Sequence, residues 1–318
     1  MKKVLTKLSN GEEVSLSGMS VNDLKRLHFD EECIFCEKAL RLPPFSLERT
    51  ELLNEGYEFV SKIKDEIAEK EGFNTVNEGA SKKSVKLLKR LLTDKLLDGG
   101  CVLYEAGVGR GHAIQQVLDW KHFNPKNLQI KGCDVFIQPS MQSLIEANPA
   151  LEITQGHILD CIRRLPDNTI DLFYADSVIE HFVPDEAEII FAEITKKLKQ
   201  NAYVYAIIPN KYLGPGDVSM YFLPFGSKAL GTHFMEMSFS EVTDAMKKHN
   251  IKHSQACFSI PATSVIFNVK SKALIKFKIA IEPYIAKIPL KFLRRLVFAF
   301  GAYNVSVMKK ELICNEYK

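Results

Sequence analysis

In the stretch VLYEAGVGRGHA, Val102–Ala113, Glu105 stands two residues ahead of Gly107, with Gly109 and Gly111 at the next alternate positions. Glycines where a strand feeds a helix let the backbone approach a ligand or adopt dihedral angles that other residues avoid. The dinucleotide fingerprint is G-x-G-x-x-G; this chain carries G-x-G-x-G, which separates nothing by itself. Glu105 separates more. A pyrophosphate at a helix N-terminus is held by amide N–H groups and the helix dipole, and a carboxylate beside it repels it. S-adenosylmethionine has no phosphate and carries an ammonium and a sulfonium, which a carboxylate suits. Asp134 follows 23 residues after Gly111, at the end of an apolar stretch. A carboxylate there can accept from both hydroxyls of a ribose, a feature common to both ligands. As a purely structural group it would be an acid at a helix N-terminus.

A second group of candidates lies downstream. Asp176, Glu180 and His181 follow the run IDLFYA, and GTHFMEMSF supplies His233 and Glu236. Imidazole titrates near neutral pH, so His181 is the first candidate for a base, with His233 in a loop as the second. Each can equally be a buried packing contact. The connection 210–237 is long and rich in Gly, Pro and aromatics, the character of a lid, and Tyr212, Tyr221, Phe222 and Phe225 are candidates to line an acceptor site. Cys33 and Cys36 form a CIFC pair near His28, but no second pair at metal spacing follows, so these read as thiols on a helix. Seven scattered cysteines fit a reducing, cytoplasmic setting.

These residues need a frame. LNEGYEFVSKIKDEIAEK puts Leu53, Tyr57, Val60, Ile63 and Ile67 on one helical stripe, and SVKLLKRLLTDKLL repeats the pattern, so residues 1–95 read as a helical extension. From Gly99 onward short apolar runs alternate with helical ones: CVLYEAG, LQIKGCDVF, LEITQGHI, IDLFYAD and AYVYAIIPN are strands with helices between them. That alternation predicts an α/β fold, a mostly parallel, doubly wound sheet covered on both faces. IKHSQACFSI and NVSVMKKEL supply two later strands. Between Pro261 and Lys310 there are ten basic residues and one acid, Glu282, set among apolar residues. Residues 271–302 therefore read as a helical insertion, either a cap on the protein or a helix on an anionic membrane surface at the inner face. The net charge of +3 does not suggest a nucleic-acid partner. The N-terminal residues lack the apolar core of a signal peptide, and no run is long enough to span a bilayer.

Four motifs in order, EAGVGRG, GCDVF, LPDNTIDLFYADSVIEHF and ITKKLKQNAYVYAIIPN, resemble those of the class I S-adenosylmethionine-dependent methyltransferases, in their broad small-molecule (type 11-like) branch. The resemblance implies a Rossmann-like, seven-stranded sheet in a domain spanning 96–318, with a lid at 210–237 and an insertion at 271–302. It implies S-adenosyl-L-methionine as cofactor, with Glu105, Gly107, Gly109 and Gly111 around its methionine end, Asp134 on the ribose and Asp176 nearby. The adenine contact normally follows a Gly-Asp pair; here the pair is Gly156–His157, so Ile158 or Asp160 stands in. His181, Glu180 and His233 are the catalytic candidates. Some RNA-methylating relatives hold a metal with an extra acid before this Glu-His pair; Ser177 occupies that place, so no metal is expected. The implied reaction is O-methylation of a small molecule, a sugar or glycan, or a lipid-linked acceptor. The rival readings are an NAD-dependent oxidoreductase and a non-catalytic binder docking through its basic C-terminal helices. The oligomeric state is not readable.

Overall fold

The computed structural model describes residues 4–72, 82–259, 266–288 and 303–311. The chain begins with an antiparallel hairpin, β1 (Leu5–Lys7) and β2 (Glu13–Ser15), followed by three helices, α1 (Val21–Arg41), α2 (Leu47–Glu71) and α3 (Lys82–Leu96). Strands and helices then alternate: β3 (Cys101–Ala106), α4 (His112–Leu118), β4 (Leu128–Asp134), α5 (Pro139–Ala147), β5 (Leu151–Gln155) and α6 (Ile158–Arg163). β6 (Ile170–Asp176), α7 (Pro184–Lys197), β7 (Leu198–Pro209), α8 (Phe239–Lys247) and β8 (Ile251–Ser259) come next, and β9 (Ile266–Val269), α9 (Lys272–Ala286) and β10 (Tyr303–Lys310) end the described chain.

Eight of these strands form one sheet in the order β5-β4-β3-β6-β7-β10-β8-β9. The pairs from β5 to β7 are parallel and those from β7 to β9 antiparallel. The sheet is mostly parallel at its core, as the alternation predicts, and among the described residues it has eight strands where seven were expected. β9 is the addition, four residues on the outer edge whose Phe267 and Val269 are half-exposed, too short a run to stand out in the sequence.

β6 is buried at its first six positions, which is why it reads as a continuous apolar run instead of an alternating one. Successive residues serve opposite faces. Tyr104 stacks on Phe173 at 5.9 Å on the side covered by α6, α7 and α8, whereas Tyr174 packs on Tyr205 at 5.1 Å on the other.

That second face is covered by α3, whose Val85, Leu88, Leu91 and Leu92 are buried in one cluster with Leu103, Tyr205 and Val307. A boundary at residue 95 therefore separates α3 from the sheet it covers; the extension proper is the β1–β2 hairpin with α1 and α2. The hairpin was not expected from a segment read as helical, because strands of three residues leave no periodicity to detect. α1 starts at Ser20 with a capping box to Asp23, and α2 ends at Gly72 in the left-handed region. Arg49 locks α2 down: its Nε donates to the Ala39 carbonyl at 3.0 Å and its Nη1 to Glu186 Oε1 on α7 at 2.8 Å. Cys33 and Cys36 lie on α1, and burial pushes the Cys33 thiol up to about 11, away from the thiolate that binds zinc.

Of the insertion at 271–302, α9 is described and 289–302 lies outside the described residues. α9 packs on α8 and β8. Its Glu282 accepts the Phe239 and Ser240 amides at the start of α8, at 2.7 and 3.1 Å, and Lys278 sits 4.2 Å from the Phe239 ring centroid. Phe277 and Tyr284 point outward. No helix among the described residues is long and apolar enough to cross a membrane.

Candidate active site

The carboxyl ends of β3, β4 and β6 open onto a cavity of about 510 Å³. It lies where strand order reverses, with β4 and β5 on one side of β3 and β6 and β7 on the other. The turn after β3 forms one wall. Gly107 has φ +67°, and a Cβ there would overlap Val178 Cγ2, so backbone and space both require glycine. Gly107→Ala is expected to destabilise the fold by about 2 kcal/mol, from left-handed strain plus overpacking, read as a lower urea midpoint. A loss below about 0.5 kcal/mol would mean that Val178 simply turns aside. The Gly109 N–H donates to Asp134 Oδ2 at 2.7 Å, tying the turn to the end of β4. Gly111 departs from expectation. It does not line the cavity, and a Cβ there would lie 2.7 Å from Met141 Sδ, so this glycine lets α4 pack against α5 and does not approach a ligand.

The cavity is acidic. Glu105, Asp134 and Asp176 all line it, and none forms an ion pair with a described residue. Glu105 is 5% exposed and its Oε2 has no hydrogen-bond partner among the described residues. Burial raises the Glu105 carboxyl well above its ordinary range, and the nearby Asp176 and Asp134 raise it further. Burial also raises Asp134, against the pull of the Gly109 and Phe136 amides, and Asp176, against the Tyr174 hydroxyl that donates to it at 2.9 Å. A cationic ligand relieves this arrangement, and a pyrophosphate worsens it. At the far end, Val135, Phe136, Gly156, His157 and Ile158 line the wall. His157 caps α6, its Nδ1 accepting the Leu159 N–H at 3.3 Å. Ile158 is in place for a flat apolar ring; Asp160 is exposed and outside the lining.

The roof differs from the one expected. No residue of 210–237 lines the cavity; Tyr221 and Phe222 are partly exposed, and the Phe222 ring lies 5.0 Å from Phe29 on α1. α2 supplies the cover through Thr50, Leu53, Asn54, Tyr57, Ser61 and Lys64. Asp65 pairs with Arg110 of the glycine turn, and Ser61 accepts from Gln138 Nε2 at 2.9 Å, so cover and turn are stitched together. The stripe containing Leu53 and Tyr57 was legible as a buried face, but periodicity does not say whether such a face covers core or ligand.

The catalytic candidates meet at one corner. His181 lines the cavity, its ring T-shaped to Tyr57 at 5.6 Å and to His233 at 4.8 Å; Glu180 and His233 lie outside the lining. His181 Nδ1 is 2.9 Å from the Thr232 carbonyl, an acceptor only, so Nδ1 carries the proton and Nε2 the lone pair. Thr232 is itself fixed from α1: Glu32 Oε1 accepts its N–H at 2.7 Å and its hydroxyl at 2.9 Å. Burial alone would raise the Glu32 carboxyl, but the His28 imidazole at 2.7 Å and the Thr232 amide hold it at about 2. Burial, with His233 beside it, lowers His181 to about 3. Partial burial and the neighbouring His233 thus draw His181 down from the neutral range that its residue type suggests. Burial lifts Glu180 to about 8, and Glu236 raises His233 against the effect of its own burial.

A family model described as a methyltransferase domain matches residues 104–206. No curated protein matches the chain. Among solved structures, the chain is similar to 1,6-didemethyltoxoflavin-N1-methyltransferase of Burkholderia thailandensis with bound 1,6-didemethyltoxoflavin and S-adenosylhomocysteine, at 13% identity, 71% of this chain, 90% of that one and a TM-score of 0.48. It is also similar to a SAM-dependent methyltransferase from Archaeoglobus fulgidus, at 16% identity, 72% of this chain, 95% of that one and a TM-score of 0.41.

Proposed function

We propose that the chain, whose residues 104–206 match a methyltransferase-domain model, is a class I S-adenosylmethionine-dependent methyltransferase that methylates a hydroxyl oxygen of a small-molecule, sugar or lipid-linked acceptor. The observation that carries the donor half is the trio of carboxylates in one cavity, Glu105 buried and Asp134 and Asp176 partly buried, none of them in an ion pair with a described residue. Glu105 and Asp176 face the ammonium and sulfonium, Asp134 accepts from the ribose hydroxyls, and Phe136 and Ile158 flank the adenine. The same trio argues against the oxidoreductase alternative, because a dinucleotide would bring its pyrophosphate against these acids.

Methyl transfer is an in-line displacement, so most of the work is alignment and exclusion of water. The α2 cover supplies exclusion; Tyr57 and His181 are among the polar groups of the wall and are the ones assigned to the acceptor. Activation of the acceptor oxygen is assigned to the corner formed by His181, Glu180 and His233. Support for a lipid-linked acceptor comes from α9, where exposed Phe277 and Tyr284 stand near exposed Lys272 and Lys276, with Lys287 just past the helix end.

The test is calorimetric titration of the purified chain with S-adenosylhomocysteine and, separately, with NADH, followed by transfer of labelled methyl to panels of phenols, sugars and lipid-linked glycans. Micromolar binding of the first, none of the second, and label on an oxygen are expected. No binding of S-adenosylhomocysteine would overturn the donor assignment; donor binding with label on nitrogen or carbon would overturn the acceptor assignment.

A further inference from the structure

We propose that Glu180, His181 and His233 bind one divalent cation of the kind that accepts imidazole nitrogen, such as zinc, cobalt or manganese, on the acceptor side of the donor pocket. One carboxylate oxygen of Glu180 and one ring nitrogen of each histidine lie within 4.8 Å of one another.

The stronger observation is Glu180 itself. Its side chain is fully buried, and neither carboxylate oxygen has a hydrogen-bond partner from another described residue. A buried carboxylate without a partner is unfavourable, and native proteins rarely keep one without a use. Here two imidazoles lie within reach of it, each with a ring nitrogen available to a cation. His181 uses Nδ1–H on the Thr232 carbonyl, and His233 places Nδ1 2.9 Å from Glu236 Oε1, so in each ring Nε2 is left for a cation.

Metal-binding histidines characteristically donate their other nitrogen to a carbonyl or carboxylate, which sets the tautomer and the ring plane. Both kinds of partner are present, and both are held in turn. Glu236 Oε1 accepts the Gly216 N–H at 2.6 Å, and Thr232 is gripped by Glu32 of α1. Ser177 adds no carboxylate, but three protein ligands and an open position are the ordinary composition of a reactive zinc site, two His and one Glu included. Magnesium and calcium favour all-oxygen sets, which this corner does not offer.

His181 is the ligand that also lines the donor cavity, so a cation held here borders that cavity and has an open position for an acceptor. Its use rests on the O-methylation reading; cation binding does not. An acceptor hydroxyl on the cation is more acidic, as bound water is, and releases its proton to solvent. The oxygen then forms the O–CH3 bond as the S–CH3 bond breaks, and that bonding pair stays on sulfur to give S-adenosylhomocysteine.

The test uses the full chain, stripped with chelator and dialysed. It is titrated with Zn2+ by calorimetry and with Co2+ by visible absorption, and each sample is also titrated with S-adenosylhomocysteine. One equivalent per chain is expected, with Co2+ absorption free of thiolate charge transfer. Glu180→Gln, which keeps the side-chain volume, and His233→Ala should each weaken binding at least about 10-fold, and Glu236→Gln by about 10-fold through orientation alone. Wild-type protein that binds S-adenosylhomocysteine but takes up neither ion would overturn the proposal, as would uptake unchanged in the Glu180→Gln/His233→Ala double variant. Metal uptake without S-adenosylhomocysteine binding would instead leave the site standing and remove the donor reading.

Discussion

Asp134→Ala is expected to weaken S-adenosylhomocysteine binding about 100-fold, or about 2.7 kcal/mol, measured by calorimetry. The carboxylate already accepts the Gly109 N–H at 2.7 Å and the Phe136 N–H at 3.2 Å, so it is fixed before any ligand arrives. Two hydroxyl hydrogen bonds to a charged acceptor contribute roughly 1.5–3 kcal/mol each. Part of that is offset because burial makes this charge costly, and alanine relieves the cost. The same substitution frees Gly109, which adds loosening of the turn to the lost contacts. Asp134→Asn, which keeps shape and gives up charge, should lie between the two, near 10-fold. An unchanged Kd for a folded Asp134→Ala variant would mean that the ribose is held elsewhere.

Arg49→Leu is expected to remove about 3–5 kcal/mol of stability, read by equilibrium urea unfolding. Arg49 is 1% exposed and Glu186 2% exposed, and the guanidinium joins two elements distant in sequence, the start of α2 and the first turn of α7. Removing it leaves Glu186 as a buried charge without its partner and strips the Ala39 carbonyl of its donor. Truncating one member of such a pair costs far more than replacing both, so Arg49→Leu/Glu186→Leu should recover more than half of the loss. The Phe45 amide, which donates to Glu186 at 2.8 Å, sets the limit on that recovery. Because α2 roofs the donor cavity, the single variant should also bind S-adenosylhomocysteine more weakly even where it remains folded. A loss below about 1 kcal/mol would place the pair among exposed ion pairs, which contribute little.

The proposed donor pocket was legible because the residues assigned to it are close together in the chain. A strand, a turn and a helix occupy adjacent residues, so Glu105, Gly107, Gly109 and, one strand later, Asp134 stand at spacings that the sequence displays directly. The alternation of apolar runs determined the sheet in the same way, since strand and helix periods are properties of neighbouring residues. Gly111 shows where this ends: glycine that admits a ligand and glycine that admits Met141 are the same letter at the same spacing.

What only the tertiary structure decided depends on residues far apart in the chain. The cavity is closed by α2 and not by 210–237, because a helical stripe records that a face is buried and leaves open against what. The state of His181 depends on Thr232, and Thr232 on Glu32, a contact spanning 200 residues. Its lowered pKa follows from burial under α2 and the nearness of His233, neither of which has a signature around EHF. Glu180 is the clearest case. By type and position it was a candidate acid or base; only the packing around it leaves both oxygens without a partner among the described residues and sets two imidazoles near it. Periodicity is written between neighbours, whereas burial and partnership arise between segments, and reactivity follows from the second.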